Sequence, residues 1–198
     1  MEYTREEILQ FVEENDVKFI RLSFCDLLGE HKNVAIMAGT LKRALEQGVP
    51  FDAGAVMPSL LPQESELYLH PDLSTLSLLP WRPQQGRVAR FFCDLKTPDG
   101  RPFQGDGRLA LRRAVAQAAE LGYTCEIGPE CEFYLFRLDD AGDPTRIPHD
   151  RAGYLDIAPL DKGENVRREI CLTLEAMGIN PESSHHEAGP GQNEVVFR

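Results

Sequence analysis

The chain has 198 residues, 42% of them apolar, and no long uncharged apolar run, which excludes a disordered chain and a membrane-spanning one. Its formal net charge of −11 argues against binding to nucleic acid or to an anionic membrane, because both need a basic surface. The charged first segment MEYTREEILQ lacks the apolar stretch of a signal peptide, so we expect a cytoplasmic protein.

The first hundred residues predict a small sheet with two short helices. Thr4 and Glu7 have the spacing of a capping box, and the apolar positions that follow predict a helix over residues 5–14. Alternating apolar residues predict a strand at 18–26 and a second one near 33–37. Further predicted elements are a helix from Thr40 to Glu46 and strands at 76–79 and 88–95.

The second half predicts strands alternating with helices, which suggests the start of an α/β domain. The expected elements are a helix from Asp106 to Gly122, strands at Tyr123–Ile127 and Glu130–Leu138, an exposed loop at 139–150, a helix at Asp161–Met177 and an extended segment from Ile179. We place the domain boundary near residue 103. The final residues EVVFR predict an unfinished strand, so we expect the chain to be the front part of a longer protein.

Five cysteines are an odd number, and none of them forms a CxxC pair or has a histidine at zinc-like spacing. We therefore expect all five to be reduced. Four of them lie in apolar stretches, where a cysteine is usually a small buried side chain.

Glu130 and Glu132 in GPECEFYLF are the first pair of candidate metal ligands. Residues two apart on a strand project to the same face, and crowded carboxylates repel each other unless protons or a hard cation lie between them. A solvent-facing strand, where such acids are harmless, is the alternative.

Glu187 and Glu194 in SHHEAGPGQNE form the second pair. An ideal strand would place residues seven apart on opposite faces, but the segment Gly189-Pro190-Gly191 can supply the bulge or turn that brings both inward. His185 and His186 can ligate a metal or hold a phosphate. The alternative is a structural hydrogen bond at a strand end, which we favour for His186.

Four carboxylates on neighbouring strands suit two magnesium or manganese ions better than zinc or calcium. Two bridged metal ions are typical of phosphoryl transfer. The sequence has neither a P-loop nor a GxGxxG motif, so a nucleotide site here must be of another kind.

Four segments together resemble bacterial-type glutamine synthetase, from Thr4 to Arg198: PWRPQQGRVARFFCDLKTPDGRPFQGDGR, GPECEFYLF, GYLDIAPLDKGENVRREI and SHHEAGPGQNE. The resemblance implies an α+β fold, with a β-grasp amino-terminal domain at 1–103. The first part of a catalytic α/β barrel of mainly antiparallel strands would follow at 104–198. It also implies an enzyme, a glutamate–ammonia ligase, in which ATP phosphorylates glutamate and ammonia displaces phosphate from γ-glutamyl phosphate to give glutamine.

The resemblance also implies a role for each matched residue. Glu130 would hold the metal ion nearer the nucleotide, Glu132, Glu187 and Glu194 would hold the other ion, Glu182 would contact ATP, and Asp52 would bind ammonium and take its proton. Where the family commonly has Phe-Asp-Gly-Ser-Ser, this chain has Phe51-Asp52-Ala53-Gly54-Ala55 and so lacks two hydroxyls. A γ-glutamyl-polyamine or other γ-glutamyl-amine ligase therefore stays an alternative, as does a non-catalytic relative.

The resemblance further implies a homo-oligomer, a dodecamer of two hexameric rings whose active sites are shared between neighbours. We expect the sheet of residues 18–95 to use an edge for a partner. The glutamate-binding loop, the arginines that contact ATP and phosphate, and the last metal-binding glutamate of the family come later than residue 198. We therefore expect this chain by itself to be inactive.

Overall fold

The chain folds into two compact units, which the computed structural model describes for residues 3–57, 60–82 and 84–197. The first unit is Met1–Cys125 and the second is Glu126–Arg198. None of the helices in these described ranges is long and apolar enough to cross a bilayer.

The helices and strands of the first unit follow the sequence prediction at most positions. In chain order they are α1 Arg5–Glu14, β1 Val17–Cys25, β2 His31–Met37, α2 Leu41–Gln47, β3 Val49–Asp52, β4 Glu66–Pro71, β5 Ser77–Leu78, β6 Arg87–Lys96 and α3 Gly107–Glu120. The predicted capping box of α1 is confirmed, because Thr4 Oγ1 accepts from the Glu7 N–H and the Glu7 carboxylate accepts from the Thr4 N–H. Strands β3 and β4 were missing from the prediction.

The six strands form one sheet in the order β2-β1-β6-β4-β3, with β5 pairing to β6. Strands β1 and β6 run parallel, and the other pairs are antiparallel. One face of the sheet packs with α1 and α2 around a core of apolar side chains. Its fully enclosed members include Ile8, Ile20, Leu22, Leu41, Met57, Leu69 and Phe91.

Helix α3 belongs to the first unit because ion pairs hold it to the sheet. Arg112 Nη1 lies 2.7 Å from Asp94 Oδ2, and Arg108 Nε donates to Asp94 Oδ1 at 2.9 Å. Arg108 also pairs with Asp72. At its start, Asp106 accepts from the N–H groups of Leu95 and Arg108. The predicted boundary near residue 103 stays a prediction.

The second unit contains two small sheets and one α-helix among the described residues. Its elements are β7 Glu130–Tyr134, β8 Phe136–Leu138, β9 Pro144–Pro148, α4 Glu164–Ala176, β10 Pro181–His186 and β11 Gln192–Phe197. Strands β10, β11 and β7 form an antiparallel sheet in that order, and β8 pairs with β9. The helical and extended segments expected after residue 160 are thus present. Helix α4 starts at Glu164 rather than at Asp161, and the Asp161 side chain accepts a hydrogen bond from the Gly163 N–H just before the helix.

One expectation for the second half of the chain is wrong, and two others are confirmed only in part. Residues 123–127 form no strand, and the Tyr123 N–H instead closes the end of α3 by donating to Ala118 O. The predicted strand at 130–138 breaks at Leu135, whose N–H donates to Gly191 O while its carbonyl accepts from the His149 N–H. The predicted exposed loop at 139–150 contains strand β9 and ends at Asp150, which is buried.

The cysteines are all free thiols, but the expectation that four of them are buried is wrong. Cys93 is buried in the core of the first unit, where burial raises the pKa of its thiol. Cys25, Cys125 and Cys131 are exposed and Cys171 is half-buried. An apolar stretch contains side chains that point to both faces of an element, so sequence proximity to apolar residues did not determine their burial.

Candidate metal centre

Strands β7, β11 and β10 place three polar side chains in one row across the sheet. Glu132 lies directly opposite Glu194, and Glu194 lies directly opposite His185. Directly opposed residues of antiparallel strands project to the same face. Glu130, two residues before Glu132 on β7, shares that face because side chains alternate along a strand.

The turn between β10 and β11 brings Glu187 to the same group. The Glu187 N–H donates to Gln192 O, and the Gln192 N–H donates to Gly189 O, both at 2.9 Å. Gly191 has φ +71°, and a Cβ there would lie 2.7 Å from Leu135 O, so a side chain does not fit. The turn expected from the glycines is therefore present.

Glu187 and Glu194 converge on one imidazole nitrogen. His185 Nε2 lies 2.8 Å from Glu187 Oε1 and 3.2 Å from Glu194 Oε2. One ligand atom from each of these three residues lies within 4.8 Å of the other two. We call His185, Glu187 and Glu194 the acid cluster. The ring of Tyr154 packs edge-on against His185 at 5.5 Å.

The two carboxylates of the acid cluster have pKa values shifted in opposite directions. The Ala188 N–H donates to the Glu187 carboxylate and lowers its pKa, an effect to which His185 contributes. Burial raises the pKa of Glu194, and the nearby charges of Glu130 and Glu187 raise it further. Glu194 therefore holds a proton more readily than an ordinary glutamate, because burial and the neighbouring carboxylates both disfavour its charged form.

Glu130 and Glu132 lie outside the acid cluster and are exposed. Gln192 Nε2 donates to Glu132 Oε2 at 2.7 Å, which orients the carboxylate on the face it shares with Glu194. The charge of Glu130 is one of the smaller causes that raise the pKa of Glu194, after burial. The structure thus gathers Glu187, Glu194 and His185 at contact distance and places the first pair beside them on the same face.

Glu182 and Asp52 are not part of this group. Glu182 is exposed on β10, at the irregular pairing between Pro181 and Ser183. Asp52 is the last residue of β3 in the first unit, where it is exposed and its Oδ1 accepts from the Gly54 N–H at 2.9 Å. The roles of Asp52 in binding ammonium and of Glu182 in contacting ATP remain predictions.

A buried charged network behind the acid cluster was not predicted from the sequence. His186 is 1% exposed, and its two ring nitrogens bind Asp150 Oδ1 and Glu187 O, so the structural interpretation favoured for His186 is correct. Asp161 and Arg167 are also buried and pair with each other at 2.6 Å. Charged residues are usually exposed, and Asp150 is 36 positions from His186, so no local pattern indicates their pairing.

Comparison with known proteins agrees with this geometry. The description "Glutamine synthetase, beta-Grasp domain" matches residues 16–98, and "Glutamine synthetase, catalytic domain" matches residues 104–198. The chain belongs to the glutamine synthetase family. The resemblance stated above and the α+β fold that it implied, a β-grasp domain followed by the start of a catalytic domain, are confirmed.

Curated relatives are similar along nearly all of this chain. It is 51% identical over 196 residues to glutamine synthetase of Clostridium saccharobutylicum, and 46% identical over 197 residues to that of Staphylococcus aureus strain Mu50. Each alignment covers 99% of this chain and 44% of the relative, so the chain spans less than half the length of these relatives.

Solved structures agree in fold. One described as "Apo GmaS without ligand" superimposes with a TM-score of 0.83 at 27% identity, covering 96% of this chain and 44% of its own. The cryoEM structure of Plasmodium falciparum glutamine synthetase gives a TM-score of 0.82 at 20% identity, and the match covers 100% of this chain and 45% of the Plasmodium chain. The second likeness supports the fold alone.

Proposed function

We propose that this chain supplies the metal-binding part of the active site of an ATP-dependent ligase that joins ammonia to glutamate. In this reaction the γ-carboxylate of glutamate takes the terminal phosphoryl group of ATP, and ammonia then displaces phosphate to form glutamine, with ADP and phosphate as the other products. The observation that carries the proposal is the convergence of Glu187 and Glu194 on a face shared with Glu130 and Glu132.

The residues of this face fit magnesium or manganese. Carboxylate oxygens predominate among them, and hard divalent ions prefer oxygen ligands, whereas structural zinc sites favour thiolate and imidazole. Glu130 would hold the ion nearer the nucleotide, and Glu132, Glu187 and Glu194 would hold the other. Bound there, such ions neutralise the phosphate oxygens of a nucleotide. A cation would also offset the burial and the neighbouring charges that raise the pKa of Glu194.

Asp52 would bind ammonium and accept its proton, and Glu182 would contact ATP. Asp52 is exposed at the end of an edge strand, because β3 pairs with β4 and has no second neighbour among the described strands. A neighbouring subunit can therefore approach this carboxylate. That position supports a homo-oligomer with shared active sites, which we propose to be a dodecamer of two hexameric rings acting in the cytoplasm.

A γ-glutamyl-amine ligase is the second candidate, because Ala53-Gly54-Ala55 lacks the hydroxyls common in the family. The test is product formation by the full-length protein with glutamate, ATP and Mg²⁺, offered ammonium, putrescine or ethanolamine. We expect glutamine from ammonium. Exclusive use of the amines would replace the first candidate with the second.

Glu187→Gln in the full-length protein tests the catalytic role of the acid cluster. Removing one charged group that stabilises a transition state typically lowers kcat by about 100-fold or more, and we expect a loss of this size. Glu169→Gln is the matched control, since Glu169 is exposed on α4 and contacts Arg168. If Glu187→Gln changed neither activity nor Mn²⁺ affinity, the catalytic role of the acid cluster would be wrong, and a full-length protein without ligase activity would instead favour a non-catalytic relative.

A further inference from the structure

The second unit contains a buried polar network on the face of β10 and β11 opposite to the acid cluster. Asp150, Asp161, Arg167 and His186 are each at most 5% exposed, and Asn193 is fully enclosed. Arg167 Nη2 lies 2.6 Å from Asp161 Oδ2, and Arg167 Nη1 donates to Asn193 Oδ1 at 2.5 Å. His186 Nε2 lies 2.9 Å from Asp150 Oδ1. The two carboxylates thus contact one guanidinium group and one imidazole ring.

Both ring nitrogens of His186 have a partner in this arrangement. Nδ1 lies 2.7 Å from Glu187 O and Nε2 lies beside the Asp150 carboxylate, and both of these partners can only accept. The ring therefore joins Asp150 to the backbone of a predicted metal ligand.

Three contacts from this network hold the backbone of the turn between β10 and β11. Asp150 Oδ1 accepts from the Gly191 N–H at 3.0 Å, and Asn193 Nδ2 donates to Gly191 O at 2.9 Å. The third is the contact between His186 Nδ1 and Glu187 O. The residues held in this way are Glu187 itself and the glycine that lets the chain return toward Glu194.

Asp150 is the centre of these contacts. Besides Gly191 and His186, it accepts from the N–H groups of Ala152 at 3.3 Å and Lys162 at 2.9 Å. A carboxylate that receives four donors is fully used within the protein. Asp150, Asp161 and His186 have ligand atoms close enough for a metal ion, but their oxygens and nitrogens are already engaged by Arg167, by each other and by the backbone.

Stability alone does not account for such a network. Buried ion pairs usually contribute little net stability compared with apolar residues of similar volume, because desolvation offsets their attraction. Buried ion pairs instead hold the groups that they connect in a fixed arrangement. Groups that orient the ligands of a metal ion are typically hydrogen-bonded to the ligand residues or to their backbone, as here.

We propose that Asp150, acting through His186 and Gly191, is a positioning residue that holds the 187–192 turn so that Glu187 and Glu194 are aligned for a divalent ion. This inference rests on the proposed function of the acid cluster. It assigns to Asp150 and His186 a role in metal affinity without direct contact to the metal.

The test is a Mn²⁺ titration of the full-length protein, followed by electron paramagnetic resonance of the free ion. Loss of an outer partner of a metal ligand typically weakens affinity 10- to 100-fold, so we expect Asp150→Ala to raise the Kd for Mn²⁺ by about 10-fold or more. Asp150→Asn keeps an oxygen that can accept from Gly191 and His186, and its affinity should lie between that of Asp150→Ala and that of the unsubstituted protein.

Hydrogen exchange of the metal-free protein supplies a second readout. Amides at 187–192 should exchange faster in both Asp150 variants, while those of β6 in the first unit should not change. If Asp150→Ala does not fold, the test is made with Asp150→Asn. Unchanged Mn²⁺ affinity in the tested variant, together with unchanged exchange at 187–192, would overturn the proposal.

Asp106→Asn is the matched control, because Asp106 is also a buried aspartate that accepts from backbone N–H groups, but in the first unit. Equal weakening of Mn²⁺ binding by Asp106→Asn would mean that Asp150 acts only through general stability, and the proposal would fail. A folded unsubstituted protein that binds no Mn²⁺ would instead contradict the proposed function. The two failures are therefore distinguishable.

Discussion

The two units of the chain are held together by different kinds of interior. Among the described residues, the buried apolar side chains of the second unit are Ala152 and Val195, whereas those of the first include Ile8, Ile20, Leu22, Leu69 and Phe91. Charged and polar groups fill the corresponding place in the second unit, namely Asp150, Asp161, Arg167, His186, Asn193 and Glu194. An apolar core tolerates exchange of its members, while a charged network requires every partner.

The largest expected effect comes from breaking the ion pair of the second unit. Arg167→Met leaves Asp161 buried and unpaired, which should lower the free energy of unfolding of this unit by about 4 kcal/mol. Hydrogen exchange across α4 and β11 would measure the loss. Arg168→Met is the control, since its side chain is 66% exposed, and it should have almost no effect.

The double variant Asp161→Leu/Arg167→Met sharpens this test. It removes both charges, so most of the lost stability should return. A double variant as unstable as Arg167→Met alone would show that the second unit depends on hydrogen-bond geometry at Gly163 and Asn193 rather than on charge balance.

Truncation of the apolar core of the first unit should have a slightly smaller effect. Leu22 is fully buried on β1, and Leu22→Ala removes contacts and leaves a cavity, at a cost of about 3 kcal/mol. Trp81 is the one tryptophan of the sequence and lies in this unit, so its fluorescence can follow denaturant unfolding. Lys18→Ala on the same strand removes an exposed ion pair with Asp16 and should change little.

The smallest expected effect is a dependence of the second unit on acid. Burial by itself would raise the pKa of Asp150, but hydrogen bonds from the Lys162 N–H, His186, the Gly191 N–H and the Ala152 N–H lower it from 3.8 to about 2. A folded-state pKa below the unfolded one gives stability that is present above about pH 4 and is lost as the pH falls toward 2.

Lowering the pKa of Asp150 from 3.8 to about 2 corresponds to about 2 kcal/mol of stability. Hydrogen exchange of β10 and β11 at stepwise lower pH would measure it, with the amides of β1 for comparison. Asp150→Asn should lose less stability over the same interval. An equally steep loss in that variant would assign the acid sensitivity to other carboxyl groups.

Secondary-structure prediction from the sequence was more successful in the first unit, with its apolar core, than in the second. In the first unit, α1 and the buried faces of β1 and β6 were predictable, because apolar spacing reports directly on a face buried in an apolar core. Strands β3 and β4 were missed because a short strand carries few alternations. The strand predicted at 123–127 was wrong because alternation requires a pairing strand, and those residues have none among the described elements.

The carboxylates of the candidate site were predictable from the sequence, but the buried residues that hold their backbone were not. Glu187 and Glu194 stood out because two carboxylates around a glycine turn have no ordinary structural use, and GPECEFYLF marked Glu130 and Glu132 in the same way. Asp150 and Arg167 carried no such signal. Their burial depends on contacts between residues far apart in sequence, as in the pairing of Asp150 with Gly191.

The row of Glu132, Glu194 and His185 crosses three hydrogen-bonded strands, so the spacing between their backbones is fixed at about 5 Å per step by the sheet itself. A site built this way differs from a calcium loop, whose backbone can wrap around ions of different radius. In the proposed site, an ion of another size would require rotation of the Glu132 and Glu194 carboxylates or movement of the turn that carries Glu187. We therefore expect the spacing of the strands to limit the range of divalent ions that the proposed site accepts.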